Sequence, residues 1–254
     1  MKKLFCILCA LLMTACLFAA QAETEITTLE AGKLLVSTSP DFPPFEYTDD
    51  ENNIVGIEPD IMALIGEKLG LQIEFMPMDF DSALLAAQTG KSDLVMSGVT
   101  ASGEVGEARK LIFDFTTTYV SITQAIVFKE GAEISMDNLG EQTIGVQRGT
   151  TGQIYVEDDY GEENVSAYDT YSLAFQALAN GQVDCIVMDD TVAKAYAAQI
   201  PGLVVVPTTY EPEDFAFGIY KEDTGLCQAM SAVLDELIAD GTVQSILDQY
   251  NTAE

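Results

Sequence analysis

The stretch Leu85-Ala-Ala-Gln-Thr-Gly-Lys-Ser-Asp-Leu-Val-Met96 carries the clearest fold signal in this chain, because a later stretch has the same pattern. The later stretch is Phe175-Gln-Ala-Leu-Ala-Asn-Gly-Gln-Val-Asp-Cys-Ile-Val-Met188. Each one reads as a helix that stops at a glycine, followed by polar residues, an aspartate and an apolar strand. The repetition predicts two lobes that are built alike.

Strands and helices also alternate in the rest of the sequence. Apolar runs predict strands near residues 34–38, 71–76, 94–96, 124–128, 143–146, 183–188, 203–206 and 215–220. Helical spacing, together with stop signals, predicts helices near residues 59–69, 82–88, 172–179 and 191–198, and two more at the C-terminal end. This order is typical of α/β proteins, in which helices cover a mostly parallel sheet.

The predicted strand at residues 94–96 ends on Ser97-Gly-Val-Thr100, where small residues let a ligand approach backbone and hydroxyl groups. Ligands of open parallel sheets bind at the carboxyl ends of the strands. Two facing lobes would therefore enclose a cleft. Residues 97–100 would lie on one side of it, and Asp189, at the end of the repeated strand, would lie on the other.

The charge and composition argue against several classes of function. The formal net charge is -30, from 41 acidic and 11 basic residues, so the chain lacks the basic surface that nucleic acid requires and is repelled by anionic membranes. The chain has no histidine, which is the commonest metal ligand and general base. We therefore expect no metal site, no cofactor and no Ser–His nucleophile, whereas carboxylate chemistry stays open.

Residues 1–22 are predicted to form an export signal. A basic start precedes an apolar run, and Ala20-Gln-Ala22 is a small-residue cleavage site. Met13-Thr-Ala-Cys16 resembles a lipoprotein box, so acylation of Cys16 is the alternative to cleavage after Ala22. Either route predicts an exported protein, in the periplasm or on the outer face of the cytoplasmic membrane.

Several motifs occur in the order typical of one protein family. They are Asp41-Phe-Pro-Pro-Phe-Glu-Tyr47, Gly56-Ile-Glu-Pro-Asp-Ile61, Pro77-Met-Asp-Phe80, Ser97-Gly-Val-Thr100, Arg109 with Phe113-Asp-Phe115, Gly145-Val-Gln-Arg-Gly-Thr150, and Asn180-Gly-Gln-Val-Asp184 with Asp189. On these motifs, over residues 33–251, the chain resembles the extracellular solute-binding proteins, family 3, of polar amino acid ABC transporters. The resemblance implies an α/β, two-lobed periplasmic-binding-protein type II fold (Venus flytrap).

The resemblance also implies how the lobes divide the chain and what they do. Lobe 1 would hold residues 33–118 and 216–254, and lobe 2 would hold residues 124–210. Strands at 119–123 and 211–215 would form the hinge. A free amino acid that bridges both lobes would select the closed form, which would dock as a monomer on a membrane permease.

The residue types at the cleft agree with this function, since a buried zwitterion needs both of its charges paired. Arg109, otherwise an ordinary surface arginine, would hold the carboxylate of the amino acid through its guanidinium group. Asp189, otherwise a helix cap, would hold the ammonium group, with the Gly98 carbonyl and the Thr100 hydroxyl opposite. Thr151, as cap, ligand contact or both, opens a helix whose N-terminal amides favour an anion.

The resemblance assigns Phe42 and Phe80 to an aromatic clamp on the ligand side chain. The specificity would depend on the shape around these rings, Ser39 and Arg148. Ser39 stands where many members that bind basic or amide side chains carry aspartate, which argues against Lys, Arg, His and Gln as ligands. The segment that leads to Arg109 is longer than in the family, and we interpret it as a loop insertion.

Two alternatives share the expected fold. The first is a prephenate-type dehydratase, which would use a carboxyl group in the cleft as a general acid. The second is a free-standing sensor, with the same site and a different partner. Asp189, placed to hold the ammonium group of a zwitterion, favours transport, because a substrate without an ammonium group would not need it. We expect no enzymatic activity.

Overall fold

The computed structural model describes residues 26–221 and 223–250. In chain order, the strands are β1 (Lys33–Thr38), β2 (Asp41–Phe42), β3 (Glu46–Thr48), β4 (Ile54–Val55), β5 (Gln72–Pro77), β6 (Leu94–Val95), β7 (Phe113–Phe115), β8 (Val120–Ile122), β9 (Gln124–Lys129), β10 (Ile144–Gln147), β11 (Val165–Tyr168), β12 (Cys185–Asp189), β13 (Leu203–Pro207), β14 (Glu213–Phe215) and β15 (Gly218–Tyr220). The α-helices are α1 (Ile57–Leu69), α2 (Phe80–Gln88), α3 (Gly103–Arg109), α4 (Thr151–Tyr160), α5 (Tyr171–Ala179), α6 (Asp190–Gln199), α7 (Thr224–Ala239) and α8 (Thr242–Tyr250).

The described part of the chain contains no helix with both the length and the apolar character that a membrane span needs. The predicted export signal at residues 1–22, with Cys16, lies outside the described residues.

Two five-stranded sheets have the same arrangement of strands. In the first, β5, β1 and β6 are parallel neighbours, and β15 pairs antiparallel to β6 and β7. In the second, β11, β10 and β12 are parallel neighbours, and β9 pairs antiparallel to β12 and β13. We call each sheet with its covering helices a lobe, and the predicted two-lobed α/β fold is confirmed.

Helices cover both lobes and explain why the central strands are apolar. In lobe 1, α1 packs on β5, α2 on β1 and β6, and α7 on β7 and β15. In lobe 2, α4 and α5 pack on the three parallel strands, and α6 packs on β9, β12 and β13. Buried parallel strands lose contact with water on both faces, so near-continuous apolar runs such as Ile186–Met188 are fully buried.

The repeated stretches form the same local structure in both lobes. Gly90 and Gly181 follow α2 and α5 with φ of 66° and 70°, a left-handed conformation that glycine adopts without steric cost. Asp93 then accepts a backbone N–H of β1 at 2.7 Å, and Asp184 accepts the N–H of the residue before β10 at 2.9 Å. The motif therefore ends one helix and ties the following strand to its neighbour.

Two short strands connect the lobes. β8 leads from the first sheet into the second, β14 leads back, and the two pair antiparallel from Val120–Phe215 to Ile122–Glu213. The single strand predicted near residues 215–220 is therefore wrong. It is two strands, because β14 ends at Phe215 in the connecting pair, and β15 starts at Gly218 in the first sheet.

The segment interpreted as a loop insertion contains helix α3, which is a correction to the prediction. Gly106 lies in the middle of this short helix, where glycine is a poor helix former, and this hides the helix in the sequence. The glycine is needed for packing, since a Cβ at this position would lie 2.3 Å from the carbonyl carbon of Ala101. The helix carries Arg109 in its last turn.

Candidate functional site

A cavity lies between the lobes, at the carboxyl ends of strands from both sheets. It is lined by Ser39, Phe42, Phe80, Ser97, Gly98, Thr100, Arg109, Gln147, Thr150, Thr151 and Asp189. Every residue predicted to contact a ligand, namely Phe42, Phe80, Gly98, Thr100, Arg109, Thr151 and Asp189, is in this lining. The structure thus brings together side chains that are far apart in the sequence, as the cleft hypothesis requires.

Arg109 reaches into the cavity from α3 and is 8% exposed, so it is not an ordinary surface arginine. Its Nη1 donates to the Thr100 carbonyl at 3.3 Å, and its Nη2 donates to the Gly149 carbonyl of lobe 2 at 3.0 Å. The guanidinium carbon lies 5.8 Å from the centre of the Phe80 ring. Burial lowers the pKa of Arg109 to about 10, while the charges of Glu213 and Asp189 act to raise it. The guanidinium group therefore stays charged at neutral pH.

A pair of buried carboxyl groups forms the acidic part of the site. Asp189 ends β12 and makes no capping bond to α6 through its side chain. The Nε2 of Gln124 instead donates to Asp189 Oδ1 and to Glu213 Oε1, at 2.9 Å each. Burial raises the pKa of both carboxyl groups, and the Glu213 charge raises the pKa of Asp189 further. The site therefore contains two acidic groups and one guanidinium group.

The sequence patterns did not indicate Glu213 or Gln124 as residues of the site. Glu213 lies on β14, within the connecting pair of strands, and is 1% exposed. Thr100 donates its hydroxyl to Glu213 Oε2 at 2.6 Å, and the hydroxyls of Thr100 and Thr151 are 2.7 Å apart. The only sequence signal would have been an acidic residue in a predicted hinge strand, and many surface positions of this acidic chain share that feature.

The start of α4 closes the cavity from lobe 2. Thr150 is the N-cap, since its hydroxyl accepts the Gln153 N–H at 3.2 Å. Thr151 is therefore not the cap, and its hydroxyl points to lobe 1, where it meets Thr100. The first amides of a helix carry partial positive charge, so this end of the cavity favours an anion.

Arg148, which was expected to influence specificity, lies outside the cavity lining. Its side chain is 50% exposed, and its Nε donates to Asp169 at 3.3 Å on the surface of lobe 2. Successive side chains of a strand point to opposite sides, and at the end of β10 it is Gln147 that faces the cavity. The side chain of Arg148 therefore points away from it. The hydroxyl of Ser39 donates to Asp41 at 3.0 Å.

The lobes touch each other around the cavity, so the structure is a closed form. The Tyr171 amide of lobe 2 donates to the Asp41 carboxylate at 2.8 Å, and the Tyr196 hydroxyl donates to the Asp41 carbonyl at 2.8 Å. The rings of Phe42 and Tyr171 stack with centres 6.0 Å apart. Among residues 26–221 and 223–250, no group of acidic or cysteine side chains is placed to hold a metal ion.

Comparison with known proteins agrees with this architecture. Residues 34–253 match the model of the bacterial extracellular solute-binding proteins, family 3. The chain is 29% identical to the ABC transporter arginine-binding protein 1 of Escherichia coli, over 98% of this chain and 99% of the relative. It is 28% identical to the arginine-binding extracellular protein ArtP of Bacillus subtilis, over the full length of both.

Solved structures show the same fold. An ancestral arginine-binding protein bound to glutamine is 36% identical, with a TM-score of 0.81 over 87% of this chain and 99% of that protein. A structure of the protein ArtJ from Geobacillus stearothermophilus, which binds arginine, lysine and histidine, has a TM-score of 0.81 at 28% identity, over 87% of this chain and 96% of that protein. With the lobes, the closed cavity and the match over residues 34–253, the chain belongs to the bacterial extracellular solute-binding proteins, family 3.

Proposed function

We propose that this protein captures a polar α-amino acid between its lobes and delivers it to the permease of an ABC transporter. The observation that carries the proposal is one buried cavity lined by both Arg109 and Asp189. An α-amino acid is a zwitterion, and burial of its charges is tolerated only where each charge is paired and hydrogen-bonded. A cavity with one guanidinium and acidic groups provides both kinds of partner.

The carboxylate of the amino acid would lie against Arg109. A guanidinium has five N–H donors, and two carbonyl bonds leave donors for a ligand. Those two bonds also hold the guanidinium group in position, which lowers the conformational entropy that ligand binding would cost. The amides at the start of α4, near Thr151, add partial positive charge on the same anion.

The ammonium group would lie against Asp189 and the end of β6. Asp189 supplies the charge, and the Gly98 carbonyl supplies a neutral acceptor. The Thr100 hydroxyl, predicted as a neutral acceptor for the ammonium group, donates to Glu213, so Glu213 enters the proposal as a second acidic group beside the ammonium. Together these groups can accept the three N–H bonds of an ammonium group.

The side chain of the amino acid would lie between Phe42 and Phe80, which line the cavity. The aromatic faces suit an apolar or cationic chain. Asp189 and Glu213 give the site more acidic than basic groups, and a cationic ligand beside them would favour their ionised forms. The arginine-binding relatives support the same choice, against the argument from Ser39, so arginine is the first ligand to test.

Delivery to a permease requires that the lobes open and close. We propose lobe 1 at residues 33–118 and 216–254, lobe 2 at residues 124–210, and a hinge at 119–123 and 211–215. The chain crosses between the sheets only through β8 and β14 in the described residues, which supports this division. The closed contacts at Asp41 and Thr151 would form when ligand bridges the lobes.

The proposal includes an exported, monomeric protein without enzymatic activity or cofactor. The family is extracellular by its description, which supports export. The relatives reported above are binding proteins, which favours transport over the prephenate-type dehydratase.

A thermal-shift panel of the twenty amino acids, cystine and prephenate tests the proposal. A ligand that binds only the folded state raises the melting temperature. At a free ligand concentration of a hundred times Kd, it adds about 2.7 kcal/mol to the free energy of unfolding. We expect a shift with arginine or another polar amino acid, and we expect Arg109→Ala to abolish it. Arg148→Ala is the matched control, because it removes the other arginine, which lies outside the cavity.

Two results would contradict the proposal, and a third would change the residue assigned to the ligand carboxylate. If no amino acid raises the melting temperature of the wild-type protein, the cavity does not bind this class of ligand. If prephenate gives the shift and is consumed over time, the dehydratase alternative replaces transport. An equal loss of binding in Arg148→Ala would move the carboxylate partner away from Arg109.

A further inference from the structure

Two glutamates lie side by side in lobe 1, and the proposed binding contacts do not use either of them. Glu46 on β3 and Glu58 on α1 are both 0% exposed. Glu46 accepts from Ser97 and Glu58 accepts from the next residue, Gly98, while the Glu58 amide donates to the carbonyl of Phe45 at 2.9 Å, so the two carboxyl groups lie close together. Two buried carboxylates in this position would repel each other, so one of the groups carries a proton.

The bonds around the pair indicate which group is protonated. Glu58 Oε1 accepts the Gly98 amide at 3.0 Å and also accepts the Tyr119 hydroxyl. Glu46 Oε1 accepts one bond, from the rotatable hydroxyl of Ser97 at 2.7 Å. Donors stabilise the charged form, so Glu58 is the carboxylate and Glu46 is the acid.

The buried oxygens support the same assignment. The Oε2 atoms of Glu46 and Glu58 are buried, and no N–H or hydroxyl donor of the described part of the chain reaches them. A buried acceptor without a donor costs free energy. A single proton held between the two Oε2 atoms would give both of them a hydrogen-bond partner. Burial and the Glu58 charge also hold the pKa of Glu46 well above its usual range.

The pair contacts the wall of the cavity directly. Ser97 and Gly98, which it binds, both line the cavity, and the Ser97 hydroxyl also accepts the Ser39 amide at 3.1 Å. On its other side, the pair binds Tyr119, which lies just before β8. A change in the charge of the pair would therefore act on the cavity wall and on the segment that connects the lobes.

We propose that Glu46 and Glu58 hold one proton between them, and that this proton positions the Ser97–Gly98 edge of the cavity for its ligand. The second half of this statement rests on the proposed function, whereas the first half does not. Loss of the proton would place two negative charges in contact inside the lobe. Their repulsion would separate the two groups and move the residues that they hold.

The other titratable groups that act on the pair are Asp41 and Tyr119. The charge of Asp41 on β2 raises the pKa of Glu46 further, and the Tyr119 hydroxyl, as a donor, lowers that of Glu58. The folded state thus binds a proton that unfolded glutamates release above their ordinary pKa. This contribution to stability is fully present below the ordinary pKa of glutamate and is lost as pH rises towards the pKa of Glu46 in the folded protein.

The first experiment tests the proton without any ligand. Infrared spectra at neutral pH should show the C=O stretch of a buried protonated carboxyl group in the wild-type protein, and Glu46→Gln should weaken this band. The melting temperature of Glu46→Gln should also fall less between pH 5 and pH 9 than that of the wild type, because an amide donor cannot lose its proton. Glu67→Gln, on the exposed face of the same helix α1, is the matched charge control and should follow the wild type.

The second experiment tests the effect on the cavity, by calorimetric titration of arginine over the same pH range. The affinity of Glu46→Gln for arginine should change less with pH than that of the wild type, because the variant lacks the titration of the pair. Glu58→Gln should lower affinity about tenfold or more at every pH, since a neutral amide replaces the charged acceptor of the Gly98 amide and the Tyr119 hydroxyl.

The outcomes separate the two proposals. An unchanged infrared band and an unchanged pH slope in Glu46→Gln would overturn the shared proton, even if Glu58→Gln does not fold. If arginine and the other amino acids fail to bind the wild type, the proposed function fails, while the infrared result still decides the proton. If the band weakens but the affinity profiles of Glu46→Gln and the wild type coincide, the positioning role is wrong.

Discussion

At the scale of single residues, Gly98 shows how closely the cavity wall is packed. Its φ is 57°, in the left-handed region, and an added Cβ would lie 2.5 Å from the Phe42 ring and 3.1 Å from the Phe215 ring. Both rings are buried and pack against other aromatic side chains, so neither can move away easily. A glycine is required here for conformation and for space.

Gly98→Ala is therefore expected to lower the free energy of unfolding by about 1–3 kcal/mol, which urea denaturation measures. Gly70→Ala is the matched control, because Gly70 has φ of 69° and nothing within 4 Å of the added Cβ. That variant should show the smaller, conformational cost alone. Equal losses in both variants would mean that the contact with Phe42 has no cost.

At the scale of elements, the first turn of α4 joins helix stability to the cavity. Thr150 accepts the Gln153 amide and donates to the Gln147 carbonyl at 2.8 Å, which ties the end of β10 to the start of the helix. The helix has no acidic residue in its first turn, so its N-terminal amides are not neutralised by their own helix. This turn is therefore suited to an anion from outside.

Thr150→Ala is expected to cost about 1 kcal/mol of stability through loss of the cap, and also to weaken ligand binding. Thr170→Ala removes the equivalent cap of α5, where the hydroxyl accepts the Leu173 amide at 3.3 Å outside the cavity lining. It should cost a similar amount of stability and leave the affinity close to that of the wild type. Parallel urea denaturation and calorimetric titration separate the two effects. Unchanged affinity in Thr150→Ala would argue against an anion at this helix end.

At the scale of the whole molecule, the proposed closure would depend on bonds that run between the lobes. The Tyr196 hydroxyl of α6 reaches the Asp41 carbonyl of lobe 1, and neither residue is in the cavity lining. A bond that exists only in the closed form adds to ligand affinity without touching the ligand.

Tyr196→Phe is expected to weaken arginine affinity about 2- to 10-fold, from the net value of about 0.5–1.5 kcal/mol for a single hydrogen bond. Tyr250→Phe is the matched control, since the Tyr250 hydroxyl donates to Asp60 at 2.9 Å within lobe 1 and should not affect closure. Titration calorimetry measures both affinities. A loss of the same size in Tyr250→Phe would show that the effect is not one of closure.

Much of this protein could be predicted from local sequence. The repeated helix–glycine–aspartate–strand pattern predicts the two lobes, because helix stops and apolar strands depend on neighbouring residues. The predicted contacts from Phe42 to Asp189 all line one cavity, since strand ends in parallel sheets converge. The exposed position of Arg148 and helix α3 were not predicted, because side-chain direction and a short helix with a central glycine leave weak patterns.

The sequence by itself determined the α/β class, the two similar lobes and the cleft, through signals that act over one turn or one strand. Only the tertiary structure decided which charges meet. Glu213 joins Asp189 and Thr100 through the strand that returns to lobe 1, and Glu46 meets Glu58 beneath Gly98. The physical reason is that the environment of a charge depends on segments distant in sequence that bury it and supply its partners, and no local pattern in an acidic chain distinguishes a buried carboxyl group from a solvated one.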